Sequence, residues 1–265
     1  DAGKPKTQPR KTEFMQSSQR LTFEGAQLNV IDEGNPQAKP VLLWHGAACN
    51  LNMWNHVIAQ LDQQFRFIRF DIRVVGRSLP ASGTDQYSFY QYAKDANYIL
   101  DRLNITRCHI WSMAWGSRAA LAFCSLYPDR VLSAAFFDAS IDTADVEAQK
   151  RGHLQALKQQ DATGIERFER PGDWSLHHDK KTMQQAMTAA AAFDLSTAAS
   201  TLELPTLVAT GDCDPNLVSS RKLANLIDGA TLEVMKNVGH GSVLQRPDLA
   251  ARLFCDFQSS LNSYP

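Results

Sequence analysis

Residues 107–126 confine the fold more tightly than any other segment. Arg107-Cys108-His109-Ile110-Trp111-Ser112-Met113 reads as an apolar strand, Ala114 stands in a tight turn, and the chain continues at once into a helix. That helix, Ser117-Arg118-Ala119-Ala120-Leu121-Ala122-Phe123, carries small apolar side chains suited to close packing on a sheet. A strand that turns straight into such a helix points to layered αβ architecture and places the turn residue at the carboxyl edge of the sheet. The turn follows the small-x-nucleophile-x-Gly pattern, with Ser112 and Gly116 in the two small positions. Moving the register to Ser112 would put β-branched Ile110 into a strained turn, and moving it to Ser117 would put Trp115 there. The central position is therefore Ala114, and a methyl group cannot attack an electrophile.

Two later segments complete a pattern. Leu204-Pro205-Thr206-Leu207-Val208-Ala209-Thr210 is a short apolar strand that ends in Gly211-Asp212-Cys213-Asp214-Pro215. Thr231-Leu232-Glu233-Val234-Met235-Lys236 is another strand, followed by Asn237-Val238-Gly239-His240-Gly241. The order is a nucleophile position, an acid and a histidine, each at the end of a strand. In general, a histidine in hydrogen-bond reach of a nucleophile takes its proton, and an acid holds the imidazole tautomer and stabilises its charge.

Periodicity places the remaining elements. Residues 20–33 read as a hairpin turning near Glu24-Gly25, with strands at 40–44, 65–70, 107–112, 132–138, 205–210 and 231–236. Helical spacing fills 53–63, 86–103, 115–126, 217–227 and 246–260. The alternation predicts an α/β fold with a mostly parallel central sheet and helices on both faces. Residues 141–195 break the alternation, with helical spacing at Ala144–Gln159, Gly164–Phe168 and Lys181–Phe193, a turn at Arg170-Pro171-Gly172-Asp173 and no strand. The expected organisation is a flexible leader over 1–19, a core formed by 20–140 and 196–265, and a helical cap over 141–195. In that cap Trp174, His177 and His178 read as packing residues.

Taken together, these segments resemble the α/β-hydrolase superfamily, in its small esterase-like branch with a helical cap, over roughly residues 20 to 262. Trp44-His45-Gly46-Ala47 looks like the turn that builds half of an oxyanion hole, so the resemblance assigns the Ala47 and Trp115 N–H groups to that hole. Asp71-Ile72-Arg73-Val74-Val75-Gly76-Arg77-Ser78 resembles a family turn but has Val74 where glycine is usual. The resemblance makes Ala114 the nucleophile position, His240 the base and Asp214 the acid. Asp138, at the end of Ala135-Phe136-Phe137-Asp138, is an alternative acid, and Asp212 is a third candidate.

The implied function is a serine hydrolase of an ester, lactone or similar acyl compound, disarmed here by alanine in place of serine at 114. Trp44, His45 and Met113 are the expected substrate-pocket residues, pointing to an apolar or aromatic substrate. Two other readings dispense with the hydroxyl: cofactor-free dioxygenation of an aromatic heterocycle by a His–Asp base, and ligand reception by a capped pocket without turnover.

Composition narrows the partners. A net charge of −1 gives no electrostatic case for nucleic acid, and no apolar run approaches the roughly 18 residues that span a bilayer. Cys49, Cys108, Cys124, Cys213 and Cys255 are odd in number and widely spaced. They read as free thiols in a reducing, cytoplasmic setting, and no metal or cofactor spacing is present. The start of the chain has no methionine and reads as processed or trimmed. The expected partner is a small-molecule substrate.

Overall fold

The computed structural model describes residues 17–61, 63–79, 87–189 and 192–261. Among them eight strands form one sheet: β1 (Ser17–Phe23), β2 (Ala26–Gly34), β3 (Lys39–Trp44), β4 (Phe65–Phe70), β5 (Cys108–Met113), β6 (Val131–Phe137), β7 (Thr206–Gly211) and β8 (Thr231–Met235). Their order is β1-β2-β4-β3-β5-β6-β7-β8. The β1–β2 and β2–β4 pairs are antiparallel, and every other pair is parallel. The hairpin turns at Glu24-Gly25 as expected, but β1 begins at Ser17, inside the span expected to be leader. Residues 1–16 lie outside the described residues.

The helices are α1 (Asn55–Gln60), α2 (Phe89–Arg102), α3 (Trp115–Leu126), α4 (Val146–Ala162), α5 (Lys180–Ala189), α6 (Leu195–Ser200), α7 (Leu217–Leu226), α8 (Ser242–Gln245) and α9 (Pro247–Leu261). None of the described helices is long and apolar enough to cross a membrane.

The period-2 alternation of strand side chains builds two cores, one on each face. Leu42, Trp44, Ile110, Ala134 and Phe136 enter a core with the buried faces of α2 and α3. Val41, Leu43, Trp111, Ala135 and Phe137 enter the other, with Val57 of α1 and Phe254 of α9. Trp111 stacks on Phe254 with ring centroids 4.1 Å apart. Both faces of β5 and β7 are buried, which is why neither strand shows an alternating charged face.

The expected cap segment holds α4, α5 and the start of α6, and an irregular stretch over 163–179 in place of the helix expected at Gly164–Phe168. The cause is local. Gly164 has φ +73° and follows directly on the C-cap of α4, so the chain leaves the helix through a left-handed glycine. Gln160 Nε2 then donates to the Glu166 carbonyl and Arg167 grips Asp161 with two bonds, holding the reversed chain against the end of α4.

Candidate active site

The β5–α3 turn is tight in the way the sequence requires. Ala114 has φ 54° and ψ −118°, a backbone state that side-chain-bearing residues rarely adopt. Its N–H donates to the Phe137 carbonyl at 2.8 Å, and Ser117 N–H closes back on the Ala114 carbonyl at 2.9 Å. Glycine at 116 is obligatory, because a Cβ there would lie 2.2 Å from the His45 carbonyl oxygen. A Cβ on Gly46 would meet Met113 Cε at 2.5 Å and Ala114 Cβ at 3.7 Å. The β3 turn and the β5 turn are thus in direct contact, as the β3–β5 register with Trp44 opposite Ser112 dictates. Among the described residues, neither the Ala47 nor the Trp115 N–H has a hydrogen-bond partner.

Across the sheet edge, His240 Nδ1 lies 2.9 Å from Asp214 Oδ2. Asp214 is buried, and its other oxygen accepts the Asn216 N–H at 2.9 Å. With Nδ1–H donated to Asp214, Nε2 of His240 is left as an acceptor. Burial lowers the His240 pKa, but the Asp214 hydrogen bond and charge, with a further contribution from Asp138, outweigh it and the net shift is upward. Close glycines fix these turns: a Cβ on Gly211 would fall 1.9 Å from the Val238 carbonyl oxygen, and one on Gly239 would fall 2.6 Å from His153 Cα in α4.

The other candidate acids stand elsewhere. Asp212 is exposed and donates its N–H to the Met235 carbonyl. Asp138 is fully buried with φ 51°, and its Oδ2 accepts the N–H groups of Gly241 and Ser242 at 3.0 and 2.7 Å. Asp138 therefore holds the loop that carries His240, while Asp214 holds the ring. Burial, then the charge of Asp214, pushes the Asp138 pKa up to about 7. Asp138 Oδ1 has no partner.

One donor atom each from Asp138, Asp214 and His240 fall within 4.8 Å of one another, the one grouping of possible metal ligands among the described residues. Asp138 Oδ2, both Asp214 oxygens and His240 Nδ1 already take part in hydrogen bonds that link the three residues to one another and to the loop after β8. The donor set fits proton handling.

The expected pocket residues are placed differently from one another. Trp44 is fully buried against Phe70 and Phe123, in the core. His45 is also fully buried; its Nδ1 reaches the Gly46 carbonyl and its Nε2 accepts the Ile72 N–H at 3.0 Å. Burial pushes its pKa down, consistent with a neutral ring that braces the turn. Neither side chain stands at the Ala114 turn. Met113 does, against Gly46, although it is buried. Trp115 packs against Phe89 and Tyr92, with ring centroids 5.6 and 5.9 Å away.

Sequence reasoning missed the residues that tie the 163–179 stretch to the site. Asn50 Nδ2 donates to the Asp173 and Leu176 carbonyls at 2.6 and 2.8 Å. His177 Nδ1 accepts the Gly76 N–H at 3.0 Å and its Nε2 meets the Ala48 carbonyl at 3.1 Å. Val74, where the family turn has glycine, takes φ 63° in the loop that receives this strap. Asp71 fixes that loop by accepting from Leu51 N, Asn29 Nδ2 and Arg77 N. The Gly152-His153 pair was the missed signal on the other side: a glycine inside a helix marks a close approach, and here the neighbours are Cys213 and Gly239.

An eight-stranded, mostly parallel sheet that presents a strained strand–helix turn on the same edge as an Asp–His pair defines the α/β-hydrolase class of architecture. The family model for the alpha/beta hydrolase fold matches residues 39–165. The chain has the α/β-hydrolase fold. Among solved structures it is similar to the enol-lactonase from Burkholderia xenovorans, with a TM-score of 0.75, 23% identity, and coverage of 91% of this chain and 100% of that one. It is 25% identical over 245 residues to the poly(3-hydroxyalkanoate) depolymerase of Ectopseudomonas oleovorans, covering 84% of this chain and 86% of the relative. It is 31% identical over 100 residues to the proline iminopeptidase of Xylella fastidiosa, covering 37% of this chain and 31% of the relative. A mycobacterial relative is matched over only 16% of its length, so the chain spans under a third of several curated relatives.

Proposed function

We propose that this chain carries a serine-hydrolase site for an ester, lactone or similar acyl compound, with Ala114 standing where the attacking hydroxyl would be. The observation that carries the reading is the backbone at Ala114, φ 54° and ψ −118°, held at the sheet edge while the His240–Asp214 pair stays assembled. Strain of this kind costs about 1–3 kcal/mol and persists only where the surroundings enforce it. Small alanine gains nothing from it as a packing residue.

In this reading a hydroxyl at 114 attacks the acyl carbon, His240 Nε2 takes its proton and returns it to the leaving group, and Asp214 holds the ring. The Ala47 and Trp115 N–H groups, free of other partners, receive the developing oxyanion. Water then releases the acyl group by the same route in reverse. Residues 141–195 act as a cap that excludes water. The chain as it stands binds the acyl compound, and His240 can activate only a water molecule in place of the absent hydroxyl.

Intact-mass labelling by a fluorophosphonate tests this on the chain and on Ala114→Ser. A single adduct is expected on the Ser form alone, together with a gain in ester hydrolysis of about three to six orders of magnitude. Absence of any adduct would defeat the mechanism. The alanine itself favours one second reading, ligand binding without turnover, which requires that Ala114→Ser stay unlabelled and that the ligand still bind.

A further inference from the structure

Arg170 is a cation without an acid. Among the described residues no carboxylate lies within ion-pair distance of it. Its guanidinium carbon instead lies 4.6 Å from the centroid of the Trp174 ring. An Nη2 of Arg170 stands 3.5 Å from His153 Nε2, two nitrogen groups facing each other with no anion between them. Where that Nε2 is the acceptor, the ring proton sits on Nδ1, which is buried and faces the His240 backbone. Burial first, then the charge of Arg170, pushes the His153 pKa down and keeps the ring neutral.

The position of this pair matters as much as its chemistry. Trp174, under the guanidinium, packs against the apolar cluster that contains Cys49, Met113 and Ala114. The Arg170 charge reaches the Cys49 thiol, where it opposes the burial that pushes that thiol up to about 12. On the other side, His153 Cα lies against Gly239, next to His240. Arg170 therefore spans the gap between the turn after β3 and the turn after β8. Behind it a cavity of about 190 Å³ opens between α4 and α8, lined in part by His153, Gln160, Arg167, Arg170 and Gln245. Arg167 is committed to Asp161, and Gln245 donates to Gln160. Arg170 remains for a ligand, with the neutral His153 ring beside it. One free guanidinium with one neutral imidazole matches a single negative charge, and the planar guanidinium fork suits a carboxylate.

We propose that Arg170, backed by His153, forms a carboxylate subsite between the turn after β3 and the turn after β8, so that the acyl substrate of this site carries a carboxylate at the end of its chain remote from the ester carbonyl. This rests on the acyl-hydrolase reading above and narrows its substrate class.

Two near-isosteric esters separate the ideas. On Ala114→Ser, 4-nitrophenyl hydrogen glutarate is expected to exceed 4-nitrophenyl valerate in kcat/KM by about tenfold or more, as a charge-assisted contact should. Arg170→Gln should bring that ratio close to one, Arg170→Lys should keep part of it, and 0.5 M salt should shrink it. A ratio near one in the parent form, or a preference untouched by Arg170→Gln, overturns the subsite. Fluorophosphonate labelling of the same Ala114→Ser proteins reads the hydrolase reading independently. Where labelling fails, calorimetric titration of the unaltered chain with glutaric acid monoanilide and valeranilide replaces the kinetics. Tighter binding of the acid, lost in Arg170→Gln, supports the subsite, and equal binding overturns it.

Discussion

Ala48, Val74, Ala114 and Asp138 share a left-handed backbone, with φ of 55, 63, 54 and 51°. Each follows the carboxyl end of one of the four central strands, β3, β4, β5 and β6. Strain concentrated on one edge of a sheet marks the edge where the chain is held for something other than packing. Asp138 shows what holds it: two N–H groups on one oxygen, none on the other, and a neighbouring carboxylate. Its folded pKa of about 7 stands above the ordinary 3.8. The folded state therefore binds the extra proton, and this contribution to stability is fully present below about pH 4 and lost as pH rises through about 7. Asp138→Asn keeps an oxygen for the two N–H groups and removes the charge. The variant should gain on the parent between pH 5 and pH 8 by on the order of 2 kcal/mol in urea unfolding. Parallel pH profiles for the two proteins would show that another group titrates. In the proposed mechanism His240 must be neutral to act as a base, and its pKa is raised in part by Asp138. In the Ala114→Ser background the rising limb of kcat/KM against pH should therefore move to lower pH in the Asp138→Asn protein.

Helix α4 is the element that joins the 141–195 segment to the turns carrying Asp214 and His240, and Gly152 is a point of contact. On an exposed helix, replacing an interior glycine by alanine stabilises by about 1 kcal/mol. Here the added Cβ would stand 1.9 Å from the Cys213 carbonyl oxygen. That contact is with backbone of the turn that carries Asp214, so it cannot be relieved by a side-chain rotation. Overpacking of this kind costs about 1–3 kcal/mol, more than the helix gains. Gly152→Ala should therefore lower the urea midpoint, whereas a raised midpoint would place α4 away from the turn. The same helix shows what a sequence conveys. The strands and α3 were legible because period-2 burial and a run of alanines are local signals, and the order of elbow, acid turn and histidine turn could be read along the chain. The end of α4 could be read only in part. Gly164 signals a stop, but the helix-forming run after it suggests a restart that the contacts of Glu166 and Arg167 with α4 prevent. Asn50, Arg170 and His177 carried no local signature, since their roles come from partners far along the chain, and His153 was marked only by the helical glycine before it. Trp44 and His45 misled because they sit beside the oxyanion-type turn in sequence while pointing into the core.

At the scale of the whole molecule, the 141–195 segment is fastened at two places that differ in kind. At α4 the fastening is close packing of backbone on backbone through glycines. At residues 173–178 it is a strap of hydrogen bonds: Asn50 to the Asp173 and Leu176 carbonyls, Asn50 N–H to the Trp174 carbonyl, and His177 and His178 to Gly76. Backbone packing yields only when the core yields, but a surface strap of polar contacts can open by itself at small cost. The strap lands on the loops that hold Ala48 and Val74, so its opening would free the strained side of the site while leaving the His240 side in place. His177→Ala removes the ring that bridges Gly76 and Ala48 without disturbing either core. Amide exchange over 173–178 should then quicken by about tenfold, the loss of roughly 1 kcal/mol of local hydrogen bonding, while the global urea midpoint stays nearly fixed. Unchanged exchange over 173–178 would mean that the strap opens only with the whole fold, and that residues 141–195 and the sheet form a single cooperative unit.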